Sequence, residues 1–90
     1  MEFNYPINYS LYTPKEVGII IQFLDIIELC YTKGVELSEY KKHYKAFKQI
    51  IKAKSEENTL YKDFKNITGF DGYLTTKAMK NENKIILIRS

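Results

Sequence analysis

The stretch Thr13-Pro-Lys-Glu-Val-Gly-Ile-Ile-Ile-Gln-Phe-Leu-Asp-Ile-Ile-Glu-Leu-Cys-Tyr-Thr-Lys-Gly34 decides how the rest of the chain is read. Its ends are written as helix ends. Thr13 is an N-cap residue, Pro14 fits the first helical position, and Glu16 completes a Thr-x-x-Glu capping box. At the far end Gly34 supplies a left-handed closing residue, Lys33 suits the carbonyl-rich last turn, and Val35 is the hydrophobic follower. At 100° per residue, Val17, Ile19, Ile20, Phe23, Leu24, Ile26, Ile27, Cys30 and Tyr31 cover about half the circumference, wider than an ordinary surface stripe. Ile21 and Leu29 fall outside that arc, among Gln22, Asp25 and Thr32. Such a helix is expected to be packed on more than one side.

Working outward, residues 1–12 alternate. Phe3, Tyr5, Ile7, Tyr9 and Leu11 are apolar, with Glu2, Asn4, Pro6, Asn8 and Ser10 between them. A period of two predicts an extended arm laid on the core, with an edge strand as the alternative, since Pro6 keeps it out of the middle of a sheet. After Gly34 a second helix is predicted over Leu37–Lys52, capped near Ser38. Its apolar stripe is Tyr40, Tyr44, Phe47 and Ile51, widened by Ile50. The short connection predicts an antiparallel pair with the first helix. A third helix is expected from Ser55, with Glu56 and Glu57 as charges favoured at a helix start. Leu60, Phe64 and Ile67 mark its buried side, with Tyr61 at the margin. Gly69 ends it, Phe70 folds back on the last turn, and Asp71 caps a fourth helix through Tyr73, Leu74, Ala78 and Met79. For Ile85–Ile88 two readings stand: a strand paired with the N-terminal arm, or an ordered end that plugs the core. The fold class is therefore all-α, a small four-helix array around the long first helix, organised as one domain over residues 1–90.

The totals agree with that class. The 90 residues are 44% hydrophobic and 28% charged, as in a foldable globular chain rather than a disordered one. A net charge of +3 is too small to imply a polyanionic partner by itself. One cysteine makes no internal disulfide, and the opening residues carry no secretory signal, so a cytoplasmic location is expected. The apolar stretch is too short and too charged, with Asp25 and Glu28, to span a membrane.

The chain carries a family resemblance. Tyr5-Pro6-Ile7 and Tyr12-Thr13-x-x-Glu16 resemble the N-terminal signature of Uncharacterised Protein Family 0223, the YktA-like small proteins of Gram-positive bacteria. The match extends from Tyr44-Lys45-x-Phe47-Lys48-x-Ile50-Ile51 through Lys54-x-Glu56-Glu57 and Leu60-x-x-x-Phe64 to Gly69-Phe70-x-x-Tyr73. Where the family usually has Trp this chain has Tyr12, and where it usually has Pro this chain has Lys52. The second departure bears on the fold, because Lys52-Ala53-Lys54 is able to continue a helix. The resemblance implies a small, mostly helical cytoplasmic protein with no assigned reaction.

Chemistry is sparse. Cys30 and His43 are the single thiol and imidazole, and no third residue orients them as a nucleophile–base pair requires. No Cys-x-x-Cys or His-x-x-x-His spacing suggests a metal, and no glycine-rich phosphate loop suggests a nucleotide, so no cofactor is expected. Glu56 and Glu57 point about 100° apart on a helix and do not converge as an acid–base pair. Two surfaces remain as candidates. Lys41, Lys45, Lys48 and Lys52 recur along one flank of the second helix, which reads first as a solvated, solubilising face and second as a candidate polyanion-binding one. Ile21 and Leu29 are a candidate interaction surface, for a protein partner or for a homodimer. The reading is a non-catalytic protein-interaction or regulatory module, with weak nucleic-acid binding as the alternative.

Overall fold

The computed structural model describes residues 5–89. Four helices carry the fold: α1 (Pro14–Cys30), α2 (Leu37–Ile50), α3 (Lys54–Thr68) and α4 (Gly72–Lys80). Two short strands, β1 (Val35–Glu36) and β2 (Ile85–Ile86), join the ends into an antiparallel ribbon, with Val35 opposite Ile86 and Glu36 opposite Ile85.

The capping box of α1 is formed as its residues dictate. Thr13 Oγ1 accepts from the Glu16 amide at 3.2 Å, and the Thr13 amide donates to Glu16 Oε1 at 2.9 Å. The α-helical run stops at Cys30, four residues before Gly34, because the chain tightens into a turn. There the amides of Thr32, Lys33 and Gly34 all converge on the Leu29 carbonyl. Gly34 then takes φ +85°, a left-handed conformation that glycine adopts without Cβ strain, and redirects the chain into β1.

The first helix is buried on more than one side. Ile20, Phe23, Leu24, Ile26, Ile27 and Cys30 lie in the core, and Phe23 stacks on Phe47 at 4.4 Å between centroids. Ile20 shares a cavity wall with Ile51, while Ile26 and Leu29 share another with Ser38 and Glu39. α1 and α2 therefore run antiparallel.

Several expectations need correction. The arm is not extended throughout. Tyr5 and Ile7 pack on the core, with Tyr5 stacked on Phe64 and its hydroxyl donating to Asp25 at 2.6 Å, but Tyr9–Leu11 form a single 3-10 turn capped by the Asn8 side chain. Tyr9 and Leu11 are consequently exposed. Phe3 lies outside the described residues. α2 ends two residues before Lys52, with Ile51 at φ −99° and ψ 83°, and α3 begins at Lys54. Even without proline the break occurs, since it lets Ile51 turn into the core and α3 fold back. Ser38 does not cap α2: Glu36 holds that position without a side-chain bond, and the Leu37 amide donates instead to the Lys84 carbonyl. On α3, Tyr61, expected at the margin, is buried, and Ile67, expected on the buried side, is 45% exposed. The tail is a strand whose partner is β1, not the arm, and it also plugs the core through the fully buried Ile86.

Candidate functional site

The most heavily engaged polar group in the interior is Glu57, whose side chain is withdrawn from water where α2, α3 and α4 meet. Its Oε1 accepts from Lys48 Nζ at 2.8 Å, and its Oε2 accepts from the hydroxyls of Tyr61 at 2.6 Å and Tyr44 at 3.3 Å. Tyr61 also lies 3.2 Å from Thr76 Oγ1, and Thr76 and Thr75 each sit 2.8 Å from the Tyr40 hydroxyl. Burial alone would raise the Glu57 pKa. The Lys48 ammonium and the Tyr61 hydroxyl outweigh it, with Lys54 adding charge, and hold the carboxyl below its ordinary value. Burial, reinforced by the adjacent carboxylate, pushes the Tyr44 hydroxyl up to about 12, and Tyr61 is raised further for the same reasons. The network is satisfied: among the described residues no buried side-chain nitrogen or oxygen lacks a partner.

Glu57 is thus more than the helix-start charge its position suggests. The signal was present in the sequence: Glu57 shares a helical face with Leu60, Tyr61 and Phe64, so a carboxylate stood in a core register.

Two surface cavities flank this seam. A cavity of about 200 Å³ opens directly over it, between the start of α3 and the end of α4, lined by Lys54, Glu57, Tyr61, Tyr73, Thr76, Lys77 and Lys80. A larger groove of about 410 Å³ lies where the arm crosses α3. Ile7, Leu11, Ile20, Ile51 and Leu60 give it apolar walls, and Glu56 and Asp63 bring acids to it.

The sequence-derived candidates are dispersed by the fold. Lys48 turns inward to Glu57, with its ammonium also 3.3 Å from the Lys52 carbonyl. Lys41 lies 3.9 Å from Glu82, while Lys45 and Lys52 are exposed and make no ion pair among the described residues. The flank is therefore not a uniform stripe of available ammoniums. Ile21 is half-buried, and Leu29 is exposed beside a shallow cavity of about 390 Å³. Cys30 is sealed in the core, where burial pushes its thiol up to about 12, and His43 sits 3.1 Å from Glu39 one turn away on α2. Among the described residues no three His, Cys, Asp or Glu side chains converge to hold a metal, and no helix is long and apolar enough to cross a membrane.

Fold and interior together define a small, mostly helical protein built round a buried lysine–glutamate–tyrosine seam. Residues 2–87 match the sequence profile of Uncharacterised protein family (UPF0223), and the chain belongs to that family. It is 41% identical over 81 residues to a UPF0223 protein of Listeria monocytogenes, covering 90% of this chain and 89% of the relative. Over 88 residues it is 33% identical to a UPF0223 protein of Bacillus cytotoxicus, covering 96% and 98% of the two chains. The likeness to a UPF0223 protein of Bacillus mycoides is 32% over the same length.

Proposed function

We propose that this protein is a non-catalytic binding module that takes a short peptide segment of a partner protein in the groove between the arm and α3. The observation that carries this reading is the pairing of apolar walls with acids in one groove of about 410 Å³. Leu11, 67% exposed, and the Ile51–Leu60 floor offer apolar contact, and Glu56 and Asp63 select against acidic segments. The occupant is accordingly a peptide with apolar side chains and at least one lysine or arginine. Support for a non-catalytic role comes from Cys30, which no substrate reaches, and from His43, tied to Glu39 on the same helix. The same reading places the protein in the cytoplasm, on the strength of its unpaired thiol.

The test is a titration of isotope-labelled protein with short synthetic peptides of matched hydrophobicity, one lysine-bearing and one glutamate-bearing. The lysine peptide is expected to shift amides of Thr59, Leu60 and Asp63, and the double variant E56K/D63K to reverse the preference. Equal response to both peptides, or shifts elsewhere, defeats the reading.

A second reading, self-association, is favoured by the exposure of Leu29 on α1, with the half-buried Ile21 about two turns before it. Light scattering at high concentration, with Leu29→Asp as comparison, decides it: a mass independent of concentration and of that substitution removes the dimer. Weak polyanion binding rests on Lys45 of α2 and Lys52 in the turn after it, and is tested by a salt-dependent mobility shift in the K45E/K52E variant.

A further inference from the structure

The cavity above Glu57 is unusual in its charge. Three lysines, Lys54, Lys77 and Lys80, line it with a single carboxylate, Glu57, which is paired instead to Lys48 outside the lining. Lys77 and Lys80 have an ordinary explanation, since cations in the last turn of α4 complement its negative end. Lys54 lacks that explanation, and what draws its charge is the Glu57 carboxylate three residues on. Lys54 is the first residue of α3, at the end where the helix dipole disfavours a cation, and that end has no side-chain cap.

Lys54 shares the cavity wall with Lys80 from the neighbouring helix. Its proximity lowers the Lys80 pKa, while the Glu57 carboxylate opposes that shift. Beneath them Thr76 and Tyr61 are locked in the buried network, and Tyr73, 54% exposed, stands at the opening. The floor also carries the Glu57 carboxylate, whose oxygens are already engaged by Lys48 and Tyr61, so the three lining lysines keep an excess of positive charge that a bridging anion offsets. At about 200 Å³ the space is below the roughly 300 Å³ at which pockets for drug-sized ligands begin, so the anion is small.

We propose that Lys54, Lys77 and Lys80 form a binding site for a dianionic phosphoryl group, held between the start of α3 and the end of α4. The phosphoryl oxygens accept from the three ammoniums, and the mouth beside Tyr73 leaves room for the organic part of a small phosphate monoester.

Thermal unfolding of the full chain in phosphate and in chloride of matched pH and ionic strength tests this. The midpoint is expected to rise saturably with inorganic phosphate and not with chloride. K54Q and K80Q, surface changes whose folding is checked by circular dichroism, are expected to weaken the apparent affinity about tenfold or more. K62Q, at an exposed lysine of α3 outside the cavity, is expected to leave it unchanged. Phenyl phosphate separates the sources. A stronger response than to inorganic phosphate assigns the site to monoesters, and an equal or weaker one assigns it to free phosphate. No saturable rise with either ligand, or a rise retained in the K54Q/K80Q double variant, overturns the proposal.

Discussion

Lys48 Nζ stands 2.8 Å from Glu57 Oε1, and it joins two helices that the sequence alone would let run together. The pair closes the reversal at Ile51–Ala53: Lys48 lies in the last turn of α2, Glu57 in the first turn of α3. Removing one partner exposes the asymmetry of a buried pair, in which the ion left behind keeps its desolvation penalty. Glu57 has 1% of its side chain exposed and Lys48 has 24%, so an orphaned Glu57 costs more than an orphaned Lys48. K48M is expected to lower stability by about 3 kcal/mol and E57Q by about 1–2 kcal/mol. The double variant should cost less than their sum by about 1 kcal/mol or more. Urea unfolding measures all three, and a K48M midpoint equal to the unchanged protein's would remove the pair from the account.

The same carboxyl sets an acid limit. Its folded pKa is held below the ordinary 4.5, so its contribution is present above that value and is lost as pH falls through the folded one. Stability to urea is therefore expected to decline below about pH 4.5, and E57Q, which has no proton to take up there, should show a shallower decline. Parallel pH profiles for the two proteins would count against the assignment.

The helices were legible where the chain punctuates itself. Thr13, Pro14 and Glu16 start α1, Asp71 caps α4 by accepting from the Tyr73 amide at 2.9 Å, and Gly69 closes α3 at φ +84°. Where punctuation is missing, tertiary contacts decide, and local rules fall silent. No local signal marks the end of α2 at Ile50. The ribbon is set by Gly34 and by the Leu37 amide reaching Lys84, a pairing between residues 47 positions apart whose two-residue strands have no period to read. Tyr61 moves from the margin into the core because a tyrosine is buried at little cost once Glu57 and Thr76 satisfy its hydroxyl. For the candidate site, the lysines were visible as composition, but their grouping over Glu57 depends on how α4 returns to α3.

Two glycines are expected to respond in opposite directions to alanine. A Cβ on Gly72 would lie 2.6 Å from Tyr61 Cδ1 and 2.8 Å from Ile27 Cδ1. The tyrosine ring is anchored by its hydroxyl and has little freedom to retreat, so G72A should destabilise by about 1–3 kcal/mol. Gly18 lies inside α1 with nothing within 4 Å of such a Cβ, and G18A should stabilise by about 0.5–1 kcal/mol through helix propensity. Thermal midpoints of the two variants moving the same way would show that one of these environments is misread.

Cys30 offers a direct report on the core. Its side chain has no exposed surface, the Ile88 amide donates to its own carbonyl at 2.8 Å, and burial pushes the thiol up to about 12. Ellman's reagent needs both access and a thiolate, and the folded state withholds both. Reaction must therefore wait for an opening of the core, and release of the tail, bonded to the end of α1 through Ile88, is one route to it. Near neutral pH the folded protein is expected to react about a thousandfold more slowly than the chain in strong urea, which should yield one thiol per molecule. The urea dependence then distinguishes the depth of that opening. If Cys30 is reached by global unfolding, the rate climbs with the full unfolding slope, and if fraying of the tail suffices, it is nearly independent of urea. Truncation of the tail at Ile85 should convert the first behaviour into the second. Prompt stoichiometric reaction of the intact folded protein would show that α1 is not enclosed as described.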